Sequence, residues 1–265
     1  MYGRQGTGSE NVQSDIPTKD LSLTFIKGMT VLRAFDETHS HLSLADIARL
    51  TGIERAAVRR LVLTLVHLGY VRKDENRYSL TPRVLVLGSG FLRGNQFGRQ
   101  VQPLMELCAR ELGYGVGLAM RDGPSAVYVA QSAQQNTRYT FGFTVGSRLP
   151  LLSTSIGRML LAWGREDWAR EMIETCPVER FTPDTLTDRA RIAAAVQDTR
   201  ASGVSIVAGE FEAGAVGISV PLGAMGSAEA ALGFSEPMST VTPEDYPRLT
   251  EILQRHAGEI AAALR

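Results

Sequence analysis

The sequence predicts an α+β chain: a small helical head with a two-stranded appendage, then a larger domain in which helices cover one sheet. Three observations carry this reading. Residues 42–61, LSLADIARLTGIERAAVRRL, read as two short helices separated by a glycine turn. The following stretch, GYVRKDENRYSLTP, holds two brief strand-like runs around a turn-rich DEN. From residue 114 onward, strands give way to helices, then strands again, then one closing helix.

Residues 1–20, MYGRQGTGSENVQSDIPTKD, are polar and rich in Gly and Ser. They lack the apolar stretch of a signal peptide and are expected to form a disordered arm. The head spans 21–82. Phe25, Ile26, Met29, Leu32 and Phe35 recur at three- and four-residue spacing, which predicts an amphipathic helix capped by Ser22 or Thr24. Ser43 is the N-cap candidate of the next helix, with Asp46 in the capping-box position. Leu44, Ile47, Ala48 and Leu50 share one face of it. Gly52 then permits a tight turn, because glycine takes a positive φ without penalty.

The second helix begins near Glu54. On a wheel of about 100° per residue, Val58, Leu61, Val62 and Leu65 cluster on the side expected to be buried. Ala56, Arg59, Arg60, Leu63 and His67 fall on the far side, with Arg55 near the helix start. A merely solvated face normally mixes Glu with Lys, whereas this one is small and basic without acids. Such a face suits a helix that enters a DNA major groove, where small residues let the backbone approach and arginines reach guanine edges or phosphates. The hairpin after it is then a wing, completing a winged helix-turn-helix. Arg72, Lys73 and Arg77 are expected to meet phosphates or the minor groove, while Asp74 and Glu75 mark an ordinary exposed tip. The wing therefore positions the head and does not read bases. Charge is distributed accordingly: residues 21–100 hold 12 Lys and Arg against 6 Asp and Glu, a net +6, and residues 101–265 hold 14 against 19, a net −5. A basic front end on an acidic remainder suits an anionic polymer for the front alone.

Leu85, Leu87, Phe91 and Leu92 predict a linker helix over 83–95 that tolerates Gly88 and Gly90. A further helix is expected from about Gln96 to Leu112, with Val101, Leu104, Met105, Cys108 and Leu112 on one face and Pro103 close to its true start. These apolar rows fit a contact between two chains and packing on their own domain equally well. The second domain, 96–265, opens with three strands, VGLAMRD, SAVYVAQSA and TRYTFGFTVG. The helices SIGRMLLAWG, EDWAREMIETC and DRARIAAAVQDTRASG follow. Strands return as VSIVAG, GAVGISVPLG and EAALGFSEP, and TPEDYPRLTEILQRHAGEIAAALR closes as a helix.

Several function classes are disfavoured. No apolar run approaches the roughly 20 residues of a membrane span, and Cys108 and Cys176 form no CxxC, so a cytoplasmic location is the expectation. HExxH, P-loop, GxSxG and strand-following GxGxxG signatures are missing, and no cofactor is implied. His39 and His41 have no third ligand near them in sequence. Ser153, Thr154 and Ser155 have no identifiable base and fit better as caps of an apolar helix. A helix start of this kind is also a seat for a carboxylate, and the Gly-rich strands GAVGISVPLG and LGFSEP leave room for a ligand. Simple capping and close strand packing account for the same residues.

Three ordered stretches resemble the IclR family of bacterial transcriptional regulators. They are the head from FIKGMTVLRAF through YSLTPRVLVLG, RLPLLSTSIGRMLLA at 148–162, and GVSIVAGEFEAGAVGISVPL at 203–222. AAVRR together with VGSRLPLLSTSIGRMLLA is most similar to the subgroup that controls protocatechuate, 4-hydroxybenzoate and β-ketoadipate catabolism. The resemblance implies a winged-helix domain, a linker helix and a GAF-like effector-binding domain. It also implies dimers or tetramers on a palindromic promoter site, and a small carboxylate or aromatic-acid effector that alters DNA binding or RNA polymerase recruitment. Ser43 joins Arg55, Ala56, Arg59, Arg60, Arg72, Lys73 and Arg77 as expected DNA-binding residues. Arg148, Ser153, Thr154, Ser155, Ile156, Ala215, Gly217, Gly233 and Ser235 are the expected effector-binding set. The family often has Ala at the position of Ser155 and Lys at that of Arg158. Val207 and Ala208 replace acidic positions of the 203–212 loop, so the polar side of the pocket is expected to differ. Two other readings remain compatible with the residues: a small-molecule enzyme with a basic interaction module, and a ligand-independent repressor with a vestigial pocket.

Overall fold

The computed structural model describes residues 16–36, 38–94, 97–132 and 144–264, with positions 97 and 98 described by backbone alone. The chain divides into two compact units, Met1–Phe91 and Leu92–Arg265. Most of the expected arm lies outside the described residues; within it, Thr18–Asp20 form one 3₁₀ turn.

In the first unit, α1 (Leu23–Arg33) is capped by Ser22, and α2 (Leu44–Thr51) carries the Ser43/Asp46 capping box. Gly52 makes the turn at φ +67°, and α3 (Arg55–His67) follows. The wing pairs β1 (Val71–Asp74) antiparallel with β2 (Arg77–Leu80), in register from Val71↔Leu80 to Asp74↔Arg77. Val31, Phe35, Leu42, Ile47, Val58, Val62, Leu65, Val71 and Tyr78 form the core, and Leu61 is only half-buried against it. One row behaves otherwise than its spacing suggests: Phe25 is 69% exposed, and Ile26 and Met29 are exposed too. α1 turns Gly28 and Val31 toward α3 instead, where Leu61 approaches Gly28. α4 (Arg83–Gly94) spans the division between the units, and Leu85, Val86, Leu87 and Phe91 are exposed on it.

The second unit begins with a π-helical turn, Phe97–Val101, leading into α5 (Gln102–Leu112) with Pro103 in its first turn. Val101, Met105, Cys108 and Leu112 are buried in their own domain, so packing accounts for that row. Six strands form one antiparallel sheet in the order β5-β4-β3-β8-β7-β6. They are β3 (Val116–Asp122), β4 (Ser125–Ser132), β5 (Arg148–Pro150), β6 (Ser205–Ala208), β7 (Ala215–Leu222) and β8 (Ala230–Pro237). The strand expected over 137–146 lies largely outside the described residues, and its last residues, Val145 and Gly146, form a turn. β5 was not expected, because three residues carry no alternation to detect. α5 and the closing helix α9 (Tyr246–Ala263) cover one face of the sheet. α6 (Ser155–Trp163), α7 (Glu166–Thr175) and α8 (Arg189–Ser202) build the core on the other.

Two polar clusters tie these layers. The Arg158 guanidinium donates to both carboxylate oxygens of Glu210 at 2.6 Å each, and its Nε donates to the Leu152 carbonyl at 2.9 Å. Glu210 also accepts from the Leu186 amide at 2.9 Å, and its carbonyl accepts from the Thr185 hydroxyl at 2.6 Å. Elsewhere, buried His256 on α9 contacts Glu111 of α5 at 3.1 Å and Glu259 at 2.9 Å, and Arg255 also pairs with Glu111.

Glu210→Ala leaves a buried guanidinium without its counter-charge and is expected to destabilise the second unit by roughly 3–5 kcal/mol. A lowered urea midpoint for that unit's unfolding transition checks this. The His256 hydrogen bond, then that of Arg255, hold the Glu111 carboxyl below its ordinary 4.5. A carboxylate depressed in the folded state adds stability that is present above its unfolded value and lost as pH falls through the folded one. Glu111→Gln should therefore flatten the acid side of the stability profile below about pH 4.5, as read by thermal melts across pH.

Candidate nucleic-acid interface and ligand pocket

α3 keeps its hydrophobic side, Val58, Val62 and Leu65, against the head core. This presents Arg55, Ala56, Arg59, Arg60, Leu63 and His67 to solvent. Among the described residues no carboxylate pairs with Arg55, Arg59 or Arg60, so their charge is available to an anionic partner. Lys73 on the wing is exposed as well. Arg72 and Arg77 have structural engagements: Arg72 Nε donates to Ser79 Oγ at 3.0 Å, and Arg77 Nη1 donates to the His41 carbonyl at 2.9 Å. The first bond ties the two strands of the wing to each other, and the second braces the wing against the head. Ser43 is committed to its cap, donating to Asp46 Oδ2 at 2.7 Å and accepting from the Asp46 amide at 3.2 Å. Among the described residues no group of three or more His, Cys, Asp or Glu is placed to hold a metal. His39 instead contacts Asp36 at 3.0 Å.

The start of α6 shapes a second site. Thr154 is its N-cap, accepting from the Gly157 amide at 3.0 Å and donating to the Pro150 carbonyl at 2.7 Å. Ser155 lies against Gly217 of β7, where a β-carbon would come within 2.6 Å of the Ser155 hydroxyl oxygen. Only glycine fits there without displacing that serine. A cavity of about 50 Å³ opens beside these residues. It is lined by Ser153, Thr154, Ser155, Ile156, Ala215, Gly217 and Ser235 from the expected set. Ser153 is 3% exposed, and among the described residues its buried hydroxyl has no hydrogen-bond partner. A buried hydroxyl left in that state costs on the order of 1–3 kcal/mol, a deficit that a bound acceptor or donor removes.

Arg148 and Gly233 do not line this cavity among the described residues. Arg148 pairs with Asp122 at 2.9 Å. Gly233 serves close strand packing, since a β-carbon there would meet the Ile218 carbonyl oxygen at 2.7 Å. Val207, expected from sequence to alter the polar side of the pocket, lies on the wall, and Tyr128, Leu149, Phe211, Glu212 and Phe234, not singled out from sequence, complete it. The signal for Phe234 was its position between Gly233 and Ser235; Phe211 and Glu212 sit inside the GEFEAG loop. Burial pushes the Glu212 carboxyl above its ordinary range and the Tyr128 phenol above its own. The cavity is far smaller than the roughly 300 Å³ at which ligand pockets usually begin. A benzoate-sized guest therefore enters with movement of its walls. A wider groove of about 410 Å³ runs between α7 and α8. Its Arg189 and Arg200 are tied to the Cys176 and Ala162 carbonyls, as staples between helices.

The chain matches two family models: the IclR helix-turn-helix domain over residues 25–75 and the bacterial transcriptional regulator IclR C-terminal domain over residues 92–262. It is 34% identical to the Pca regulon regulatory protein of Pseudomonas putida, over 97% of this chain and 87% of that protein. It is 32% identical to the p-hydroxybenzoate hydroxylase transcriptional activator of Acinetobacter baylyi, over 93% of each chain. Among solved structures it is similar to an IclR homologue of Microbacterium hydrocarbonoxydans complexed with 4-hydroxybenzoate. That match has a TM-score of 0.75 and 26% identity, covering 91% of this chain and 99% of that one. These relatives are regulators, which removes the enzyme reading. With both family models matched and similarity to regulators along nearly the whole chain, the chain belongs to the IclR family of bacterial transcriptional regulators.

Proposed function

We propose that this regulator binds a palindromic promoter site as a dimer, and that a small carboxylate or aromatic acid seated at the start of α6 alters that binding. The observation that carries the effector reading is the unpartnered, buried Ser153 hydroxyl beside the N-terminus of a nine-residue apolar helix. Unpaired helix amides and the dipole favour an anion there, and Tyr128, Phe211 and Phe234 supply aromatic walls. The names of the relatives support a role in aromatic-acid catabolism. In this reading residues 21–82 are the DNA-binding domain, 83–95 the linker helix and 96–265 the effector-binding domain, with 1–20 an appended arm. The protein works in the cytoplasm, on the nucleoid when DNA-bound, and the dimer assembles to a tetramer or meets RNA polymerase at the promoter.

Arg59 and Arg60 face the groove, Arg55 clamps the helix start, and Lys73 of the wing meets phosphate. Arg72, Arg77 and Ser43 act on DNA while keeping the wing and α2 in place. Dimerisation is supported by the apolar side chains left exposed on α1 and α4, Phe25, Ile26 and Met29 with Leu85, Val86 and Leu87. The effector acts only through unequal affinity for the DNA-competent and incompetent arrangements.

Arg59→Ala is expected to weaken operator binding by about 1–3 kcal/mol if it contacts a base, with discrimination lost at one position. Gel-shift titrations against operator variants read this, and unchanged affinity and selectivity remove Arg59 from the interface. Leu85→Asp should convert a dimer to a monomer in light scattering, and a wild-type monomer contradicts the dimer. Calorimetry with protocatechuate, 4-hydroxybenzoate and β-ketoadipate tests the pocket. Absence of heat with all three removes the subgroup as a guide to the ligand.

A further inference from the structure

The pocket has an uneven distribution of charge. The hydroxyls of Ser153 and Ser155 and the positive end of α6 offer one seat for an anion. The one charged side chain on the wall, among the described residues, is Glu212, on the loop between β6 and β7. The two nearby arginines are occupied elsewhere, Arg148 with Asp122 and Arg158 with Glu210. Glu212 is half-buried, and among the described residues its carboxylate makes no hydrogen bond or ion pair. Its neighbour in the same loop, Glu210, is fully neutralised by Arg158. One acid of this loop is thus structural, and the other is left facing the cavity with its hydration reduced.

We propose that Glu212 is a specificity-determining residue of the pocket: it accepts a hydrogen bond from a hydroxyl on an aromatic monocarboxylate and turns away dicarboxylates. This rests on the reading that a carboxylate is seated at the start of α6. A second ligand carboxylate would share a cavity of this size with the Glu212 carboxylate, without a cation from the described wall between them. Like charges in a water-poor site repel strongly. A ligand hydroxyl meets the same oxygen as a donor, and a hydrogen bond to an ionised acceptor is among the stronger kinds. Phe211, Phe234 and Tyr128 flank the ring that carries both groups.

Calorimetry on the full chain with benzoate, 3- and 4-hydroxybenzoate and terephthalate tests the assignment. Wild-type protein is expected to prefer a hydroxybenzoate over benzoate, and benzoate over terephthalate, each by about tenfold, the step that 1.4 kcal/mol represents. Glu212→Gln should bring terephthalate to within a few-fold of benzoate and shrink the hydroxyl preference. Glu212→Asp, which keeps the charge, should preserve the rejection of terephthalate. Wild-type binding of terephthalate as tight as that of the hydroxybenzoates overturns the proposal, as do unaltered ratios in Glu212→Gln. Failure of every one of these acids to bind wild-type protein removes the seat at α6, and the specificity role with it. Benzoate binding that is intact while Glu212→Gln changes no ratio removes the Glu212 role alone.

Discussion

The buried ion pair between Arg158 and Glu210 is the constraint around which the effector-binding domain is arranged. One guanidinium reaches three oxygen atoms, two on Glu210 and the Leu152 carbonyl, from a side chain only 4% exposed. It thereby fixes the turn that precedes α6, the loop that precedes β7 and, through the Leu186 amide, the segment leading to α8. Each is a connection without a ladder of its own. A buried pair of this kind contributes little net stability over an apolar substitute, but removal of one partner is severe. Its role here is to hold three loops in one relative position, and two of them line the pocket.

Much of the head was legible in the sequence because its signals are local. The capping box at Ser43 and Asp46, the turn at Gly52, and the division of α3 into an apolar and a basic side all follow from spacing within one or two helical turns. The exposed row of α1 was legible as a row and not as to its destination. Periodicity says that Phe25, Ile26 and Met29 share a face, but whether that face meets its own core depends on where α3 lies. The wing arginines show the same limit. Arg72 and Arg77 read as phosphate contacts, while the fold gives them Ser79 and the His41 carbonyl as partners.

The pocket was half legible. The motif at 153–156 and the small residues Ala215 and Gly217 were found because hydroxyls before an apolar helix and glycine in a strand are unusual. Gly233 carried the same signal for another reason, close packing against β7. Tyr128, Phe211 and Glu212 gave no such sign, since an aromatic residue in a strand or an acid in a loop is common. Only the pairing of distant strands brings them to the α6 start. The correspondence of Arg158 with Glu210 was hidden likewise: each residue alone is unremarkable, and across a separation of 52 residues the sequence carries no trace of the contact.

The central pairing of the sheet has a consequence for how the chain is made. β3 and β8 join Gly117 to Gly233, so the sheet closes only after a long stretch of intervening chain is in place. Such non-local pairing is slow to form, because the entropy of closing the loop is lost before any contact is gained. The head has its partners within a few turns of chain. During synthesis it emerges first and is able to fold while the sheet still lacks its middle strand. A nascent chain therefore carries a finished DNA-reading head before it has a sensor to govern it, and control by effector begins only with the last strand.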